Sequence, residues 1–179
     1  DQMALAFALD RLDHVRREIQ PALDSGAVVL SDRYVISSLV YQSLELPLEW
    51  VTSLNQFAPP ADLTLLVDLE VSEAEERRAK RGGPDEIFDD RETQERLRAS
   101  YLDITATHPN SMIISGSGTV SDVTNRLLQA IGTLPEAQEV VNYISDGFVL
   151  CWRLDCAPPK PVICIFLLTR CVTVRNSAS

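Results

Sequence analysis

Three short apolar runs, Val28-Val29-Leu30, Leu63-Thr64-Leu65-Leu66-Val67 and Met112-Ile113-Ile114, punctuate this chain, with helical patterns between them. Runs this short and this continuous read as strands buried on both faces, the habit of a parallel sheet. The intervals repeat instead with a period near 3.6. In residues 2–20, Leu5, Leu9, Leu12, Val15 and Ile19 recur at spacings of three and four, with Pro21 kinking the helix or starting a new turn and Gly26 ending it. Residues 37–43 predict a short helix, and Leu48, Val51 and Leu54 predict another over 47–57. Ser72 and Glu75 have capping-box spacing and open a helix through Arg81. Asp89 to Thr107 reads as a long helix whose stripe, Leu97, Tyr101 and Ile104, is core, and Ser121 caps a last helix running to Gly132. With strands over 27–31, 63–69 and 112–115, the alternation specifies an α/β fold of parallel βαβ units.

Ligands of such sheets bind outside the carboxyl ends of the strands. The first run stops there on Asp32-Arg33. The Asp can accept from a hydroxyl or a metal-bound water, and the Arg can grip a phosphate with two parallel hydrogen bonds. By itself the dipeptide is equally the solvated cap of a strand. Ser37, Ser38, Tyr41 and Gln42 follow within about three helical turns, enough polar groups to read a sugar or base. Phe7 and Arg11, four apart, share one helix face, as a core Phe beside a solvated Arg or as a ligand pair. Arg77-Arg78-Ala79-Lys80-Arg81 precedes Gly82-Gly83-Pro84. A cationic lid over transferring phosphate needs that composition, and a solvated helix C-terminus favours it too. Gly116-Ser117-Gly118-Thr119 has no following Lys and reads as a turn.

Net charge is −10, and residues 1–133 hold all of it, with 22 acidic against 12 basic side chains. Nonspecific nucleic-acid binding needs the opposite balance, so no nucleic-acid partner is expected. Nothing resembles a signal peptide or a run of about 18 apolar residues, which leaves no membrane partner and the cytoplasm as the default. Cys151, Cys156, Cys164 and Cys171 match no zinc or redox spacing.

Ser31-Asp32-Arg33-Tyr34-x-x-Ser37-Ser38-x-Val40-Tyr41-Gln42 resembles the signature of thymidylate kinases, a branch of the nucleoside-monophosphate kinases. The resemblance extends upstream to Phe7-Ala8-Leu9-Asp10-Arg11-x-x-His14 and downstream to about Gly132. It implies a three-layer P-loop NMP-kinase-like parallel sheet, transfer of the γ-phosphoryl of ATP to dTMP with Mg²⁺, giving dTDP, and a homodimer. It further implies that Phe7 stacks on thymine, Arg11 hydrogen-bonds a base carbonyl and Arg33 binds the substrate phosphate. Ser37, Tyr41 and Gln42 would frame sugar and base, and Asp32 would lie near the acceptor phosphate and the magnesium shell. Arg77 and Arg81 are the lid candidates, not separated from Arg78. Three departures stand out: Val35-Ile36 where members carry polar residues, Ser43 where a Gly usually follows the Gln, and Glu86-Ile87-Phe88 where Asp-Arg commonly precedes an aromatic.

The seven glycines form no GxxxxGK[ST] loop, the element whose amides, Lys and hydroxyl hold triphosphate and magnesium in P-loop kinases. The family places that loop upstream of the Phe7/Arg11 helix. The expectation is therefore an incomplete sheet, its N-terminal strands missing, and no useful kinase activity from this polypeptide alone. Residues 1–133 form the thymidylate-kinase-like domain, and 134–179 are a tail of different composition and unknown role. In the tail, Val162-Ile163-Cys164-Ile165-Phe166-Leu167-Leu168 reads as a replacement strand, an aggregation-prone stretch or, the reading favoured on composition, a read-through tail. Two rivals to the kinase reading stand: a noncatalytic nucleotide-binding or scaffolding remnant, and a kinase for another pyrimidine nucleotide or deoxynucleoside.

Overall fold

The computed structural model of this chain describes residues 1–25, 28–81, 90–134 and 162–167. Strands β1 (Val29–Asp32), β2 (Leu63–Asp68), β3 (Ser111–Ser115) and β4 (Val162–Leu167) form one parallel sheet in the order β1-β4-β2-β3. All three runs that opened the sequence reading are strands, and β1 extends to include Asp32. β4 enters from the tail and pairs with β1 (Val29 with Val162) and with β2 (Leu63 with Ile163). The neighbours that β1–α–β2 connectivity would allow are thus held apart by one strand.

Helices cover both faces. Along β2 the side chains alternate. Leu66 packs with Ile36 and Val40 of α3 (Val35–Gln42) and with Leu97 and Tyr101 of α6 (Arg91–Thr107). Leu63 and Leu65 pack with Ala130 and Ile131 of α7 (Val120–Ile131). The result is the expected three-layer α/β arrangement.

Local chemistry sets the helix ends, and it corrects several expected boundaries. Asp90 caps α6, its carboxylate accepting from the Thr93 amide at 2.9 Å, and that bond holds its pKa below the usual carboxylate value. Thr119, not Ser121, caps α7 in a capping box with Asp122. Gly118 before it has φ +101°, a conformation that side chains rarely adopt. α5 (Val71–Arg81) begins one residue ahead of Ser72, so that serine lies inside the first turn instead of at the cap. α4 is Leu48–Leu54, shorter than expected because its last residues form turns.

The first helix departs from its predicted pattern. α1 (Gln2–His14) passes through a π-helical turn, Val15–Ile19, into α2 (Gln20–Asp24), with Pro21 at the start of α2. Ala4, Ala8 and Ile19 are buried, whereas Leu5 and Leu9 are 50% and 71% exposed. The π turn inserts one extra residue. The inward face of α1 is the Ala4/Ala8/Arg11 row and not the expected row through Leu5 and Leu9. Gly26, the Gly82-Gly83-Pro84 and Glu86-Ile87-Phe88 segments, Asp89, the Arg81 side chain and the tail apart from β4 lie outside the described residues. Among the described residues no helix is long and apolar enough to cross a membrane.

Candidate active site

Because the sheet is parallel, the carboxyl ends of β1, β2 and β3 share one edge. Asp32 ends β1 as an exposed carboxylate, and Arg33 follows it with φ 66°. A left-handed conformation is costly for an arginine. The Ser31 hydroxyl donates to the Arg33 carbonyl at 2.8 Å and braces the turn. The turn sends the guanidinium back over α3, 5.3 Å from the centre of the Tyr41 ring, within range of a cation–π contact.

α3 supplies two rows of polar side chains, each with the i,i+4 spacing that stacks neighbours on one face. In the first row, the buried Ser37 hydroxyl meets the Tyr101 hydroxyl at 2.9 Å, and the Tyr41 ring stands edge-on to Tyr101 with centroids 6.2 Å apart. Burial pushes the Tyr101 phenol up to about 12, opposed in part by the Ser37 hydrogen bond and by Arg33. Tyr101 was legible as core, and its second role, bracing the Arg33 platform, was not.

Ser38 and Gln42 form the second row. Arg11 donates to Ser38 Oγ at 2.7 Å, to the Tyr34 carbonyl at 3.2 Å and to Asn55 Oδ1. Its guanidinium lies 5.5 Å from the Tyr34 ring centre. Phe7, one turn before Arg11 on the same face, is 47% exposed; it is not a core residue. The Gln42 Oε1 atom is buried and has no hydrogen-bond partner among the described residues, an arrangement that is costly without a donor. Ser38 was read among the polar groups of the motif without a role of its own, and Asn55 was not read at all. Ser38 sits inside the motif; Asn55 carried no signal of its own.

The basic cluster lies farther along the edge. Arg77 donates to Glu73 at 2.6 Å and to the Gly118 carbonyl at 3.0 Å, while Ser117 donates to the same Glu73 carboxylate at 2.8 Å. It thereby ties α5 to the β3–α7 turn. β1 and β2 are two strand spacings apart, roughly 10 Å, and Arg77 bonds to Glu73 and Gly118 while Arg33 lies over Tyr41. Between these positions, Arg98 forms paired bonds to Asp68 (2.7 and 2.8 Å) and to Glu70 (both 2.7 Å), which raise its pKa. A cavity of about 260 Å³ lies on the far side of that ion cluster, bounded by Val71, Arg91, Arg98 and Leu102; it does not coincide with the Arg11/Arg33 constellation.

The loop that holds triphosphate and magnesium in P-loop kinases is not among the residues present. No GxxxxGK[ST] occurs in the 179 residues. Among the described residues no three His, Cys, Asp or Glu side chains converge on a metal-sized site, and the Asp68 carboxylate is already taken by Arg98.

The profile of the thymidylate kinase family matches residues 1–127. A protein named probable thymidylate kinase from Pyrococcus abyssi is 41% identical over 121 residues, 67% of this chain and 59% of that protein. Its counterpart in Thermococcus kodakarensis is 42% identical over 135 residues, 73% of this chain and 64% of that protein. A thymidylate kinase of Symbiobacterium thermophilum is 37% identical over 126 residues, 67% and 59% of the two chains. This chain therefore spans less than two thirds of the length of these relatives. With an α/β parallel sheet, helices on both faces and a polar constellation at the end of β1, the chain belongs to the thymidylate kinase family, whose fold is that of the P-loop nucleoside-monophosphate kinases.

Proposed function

We propose that this chain carries the monophosphate side of a dTMP kinase site, with dTMP seated over α3. The observation that carries the reading is Arg33. A left-handed backbone and a Ser31 brace aim its guanidinium across the end of β1, and strain of this kind persists where it serves a site. Arg33 would pair with the 5′-phosphate. Arg11 would donate to a base carbonyl, with Phe7 against the ring. The unpaired Gln42 oxygen needs a donor, which the imide N–H of thymine supplies. Tyr41 and Ser37 shape the sugar side, Ser37 through its bond to Tyr101. Asp32 would face the acceptor phosphate.

The family reaction, ATP to dTMP with magnesium, also needs cations on the transferring group, for which Arg77 and Arg81 are the candidates. In the arrangement described, Arg77 braces the β3–α7 turn. With no phosphate-cradling loop among the 179 residues, we assign this polypeptide binding without turnover. The exposed Met3, Leu5 and Leu9 of α1 support pairing with a second copy, and the cytoplasm is the setting this function implies.

Calorimetric titration of the 179-residue chain with dTMP, alongside a coupled assay with ATP and Mg²⁺, tests the reading. Saturable dTMP binding without dTDP formation is the expected result. Absence of dTMP binding would overturn it, and dTDP formation would overturn the assignment of binding alone.

A further inference from the structure

Asn55 lies at the end of α4, 6% exposed, and belongs to no motif. Its side-chain amide has only one usable orientation. The Nδ2 group donates to the Val51 carbonyl at 2.8 Å, which turns Oδ1 towards Arg11. The flipped amide would set an NH₂ group against a guanidinium that can only donate. Arg11 is thus fixed from three directions: Asn55 after α4, Ser38 on α3 and the Tyr34 carbonyl before α3. The ordering of a long, flexible side chain is met before any ligand arrives.

We propose that Asn55 is a positioning residue that sets base selectivity, by holding the Arg11 guanidinium where it meets a pyrimidine carbonyl and rejects a pyrimidine amino group. The proposal rests on the dTMP reading above. A fixed donor facing the 4-carbonyl of thymine makes a charge-assisted bond. The same donor facing the 4-amino group of cytosine opposes another donor and leaves both unpaired. A guanidinium free to swing aside would tolerate either base, so discrimination depends on the restraint as well as on the charge.

The test is calorimetric titration of the full chain with dTMP and with dCMP, for the wild type, Asn55→Ala and Asn55→Asp, beside thermal melts of each. The wild type should prefer dTMP. Asn55→Ala should lower the dTMP-to-dCMP affinity ratio about tenfold, the loss expected when one charge-assisted restraint is removed. Asn55→Asp keeps an acceptor for Arg11 and should keep the ratio. A ratio unchanged in Asn55→Ala overturns the proposal even if the melting temperature falls, because a purely structural role weakens both ligands alike. If Asn55→Ala does not fold, Asn55→Asp decides: loss of the ratio there refutes the role. A wild type that binds neither nucleotide instead refutes the dTMP reading, and this proposal with it, before any variant is compared.

Discussion

Replacing Tyr101 with Phe separates what its hydroxyl contributes from what its ring contributes. The residue is 4% exposed, and its hydroxyl meets the buried Ser37 hydroxyl at 2.9 Å. Removing it leaves Ser37 without that partner, at a cost of about 1–2 kcal/mol near neutral pH. The pH dependence is more telling. The folded-state pKa is pushed up to about 12, chiefly by burial, whereas tyrosine in an unfolded chain ionises near about 10. A raised folded pKa means that the folded form holds its proton more tightly. Its contribution is complete below about pH 10 and is lost as pH rises towards about 12, by up to roughly 2.7 kcal/mol. Urea unfolding of the wild type and Tyr101→Phe from about pH 7 to about pH 11.5 should therefore show the two stabilities converging above about pH 10, at roughly 1.4 kcal/mol per unit, and then crossing. Curves that stay parallel across that range would refute the burial of this phenol, and equal stabilities at about pH 7 would refute its hold on Ser37.

Arg33→Ala should weaken dTMP binding by about 2–4 kcal/mol, the scale for losing a desolvated charge pair; unchanged affinity by calorimetry would remove Arg33 from the site. Leu66→Ala empties the fully buried centre of the face shared by α3 and α6 and should cost about 3–5 kcal/mol in urea unfolding, with a much smaller loss indicating that this layer is not packed as described. A chain shortened to residues 1–134 loses β4, which supplies the pairings of β1 and half of those of β2. It should lose cooperative unfolding by circular dichroism, and an unchanged midpoint and slope would show that β4 does not hold the sheet together.

Much of the fold was legible because its signals are local. The runs at 28–30, 63–67 and 112–114 are strands, but the expected burial on both faces holds for β2 alone: β1 is half-buried and β3 leaves Met112 and Ile113 exposed. Leu97 and Tyr101 are buried, as their period predicts. The caps were less legible, because Ser and Thr compete for the same role. Thr119 won over Ser121 because Asp122, three residues on, completes a capping box with it. The position of β4 was beyond reach. A short apolar run states that it will be a strand, but strand order depends on contacts more than 90 residues apart in the chain, between Val29 and Val162 or Leu63 and Ile163.

The site divides along the same line. Arg33, Tyr41 and Gln42 could be read as candidates from a contiguous motif, Arg33 in the turn before α3 and the other two on its last turn. Arg11 could be read only by resemblance, since its periodicity argued the other way: the row Leu5, Leu9, Leu12 would have faced the core and left Arg11 at its margin. The row that faces inward is instead Ala4, Ala8, Arg11, Val15 and Ile19, which has helical spacing of its own. Leucines go outward, small alanines let α1 approach α3, and Arg11 turns in to meet Ser38 and Asn55. With the alanine row against α3, Leu5 and Leu9 are left exposed on the neighbouring face of α1, an apolar row that periodicity alone would have placed in the core.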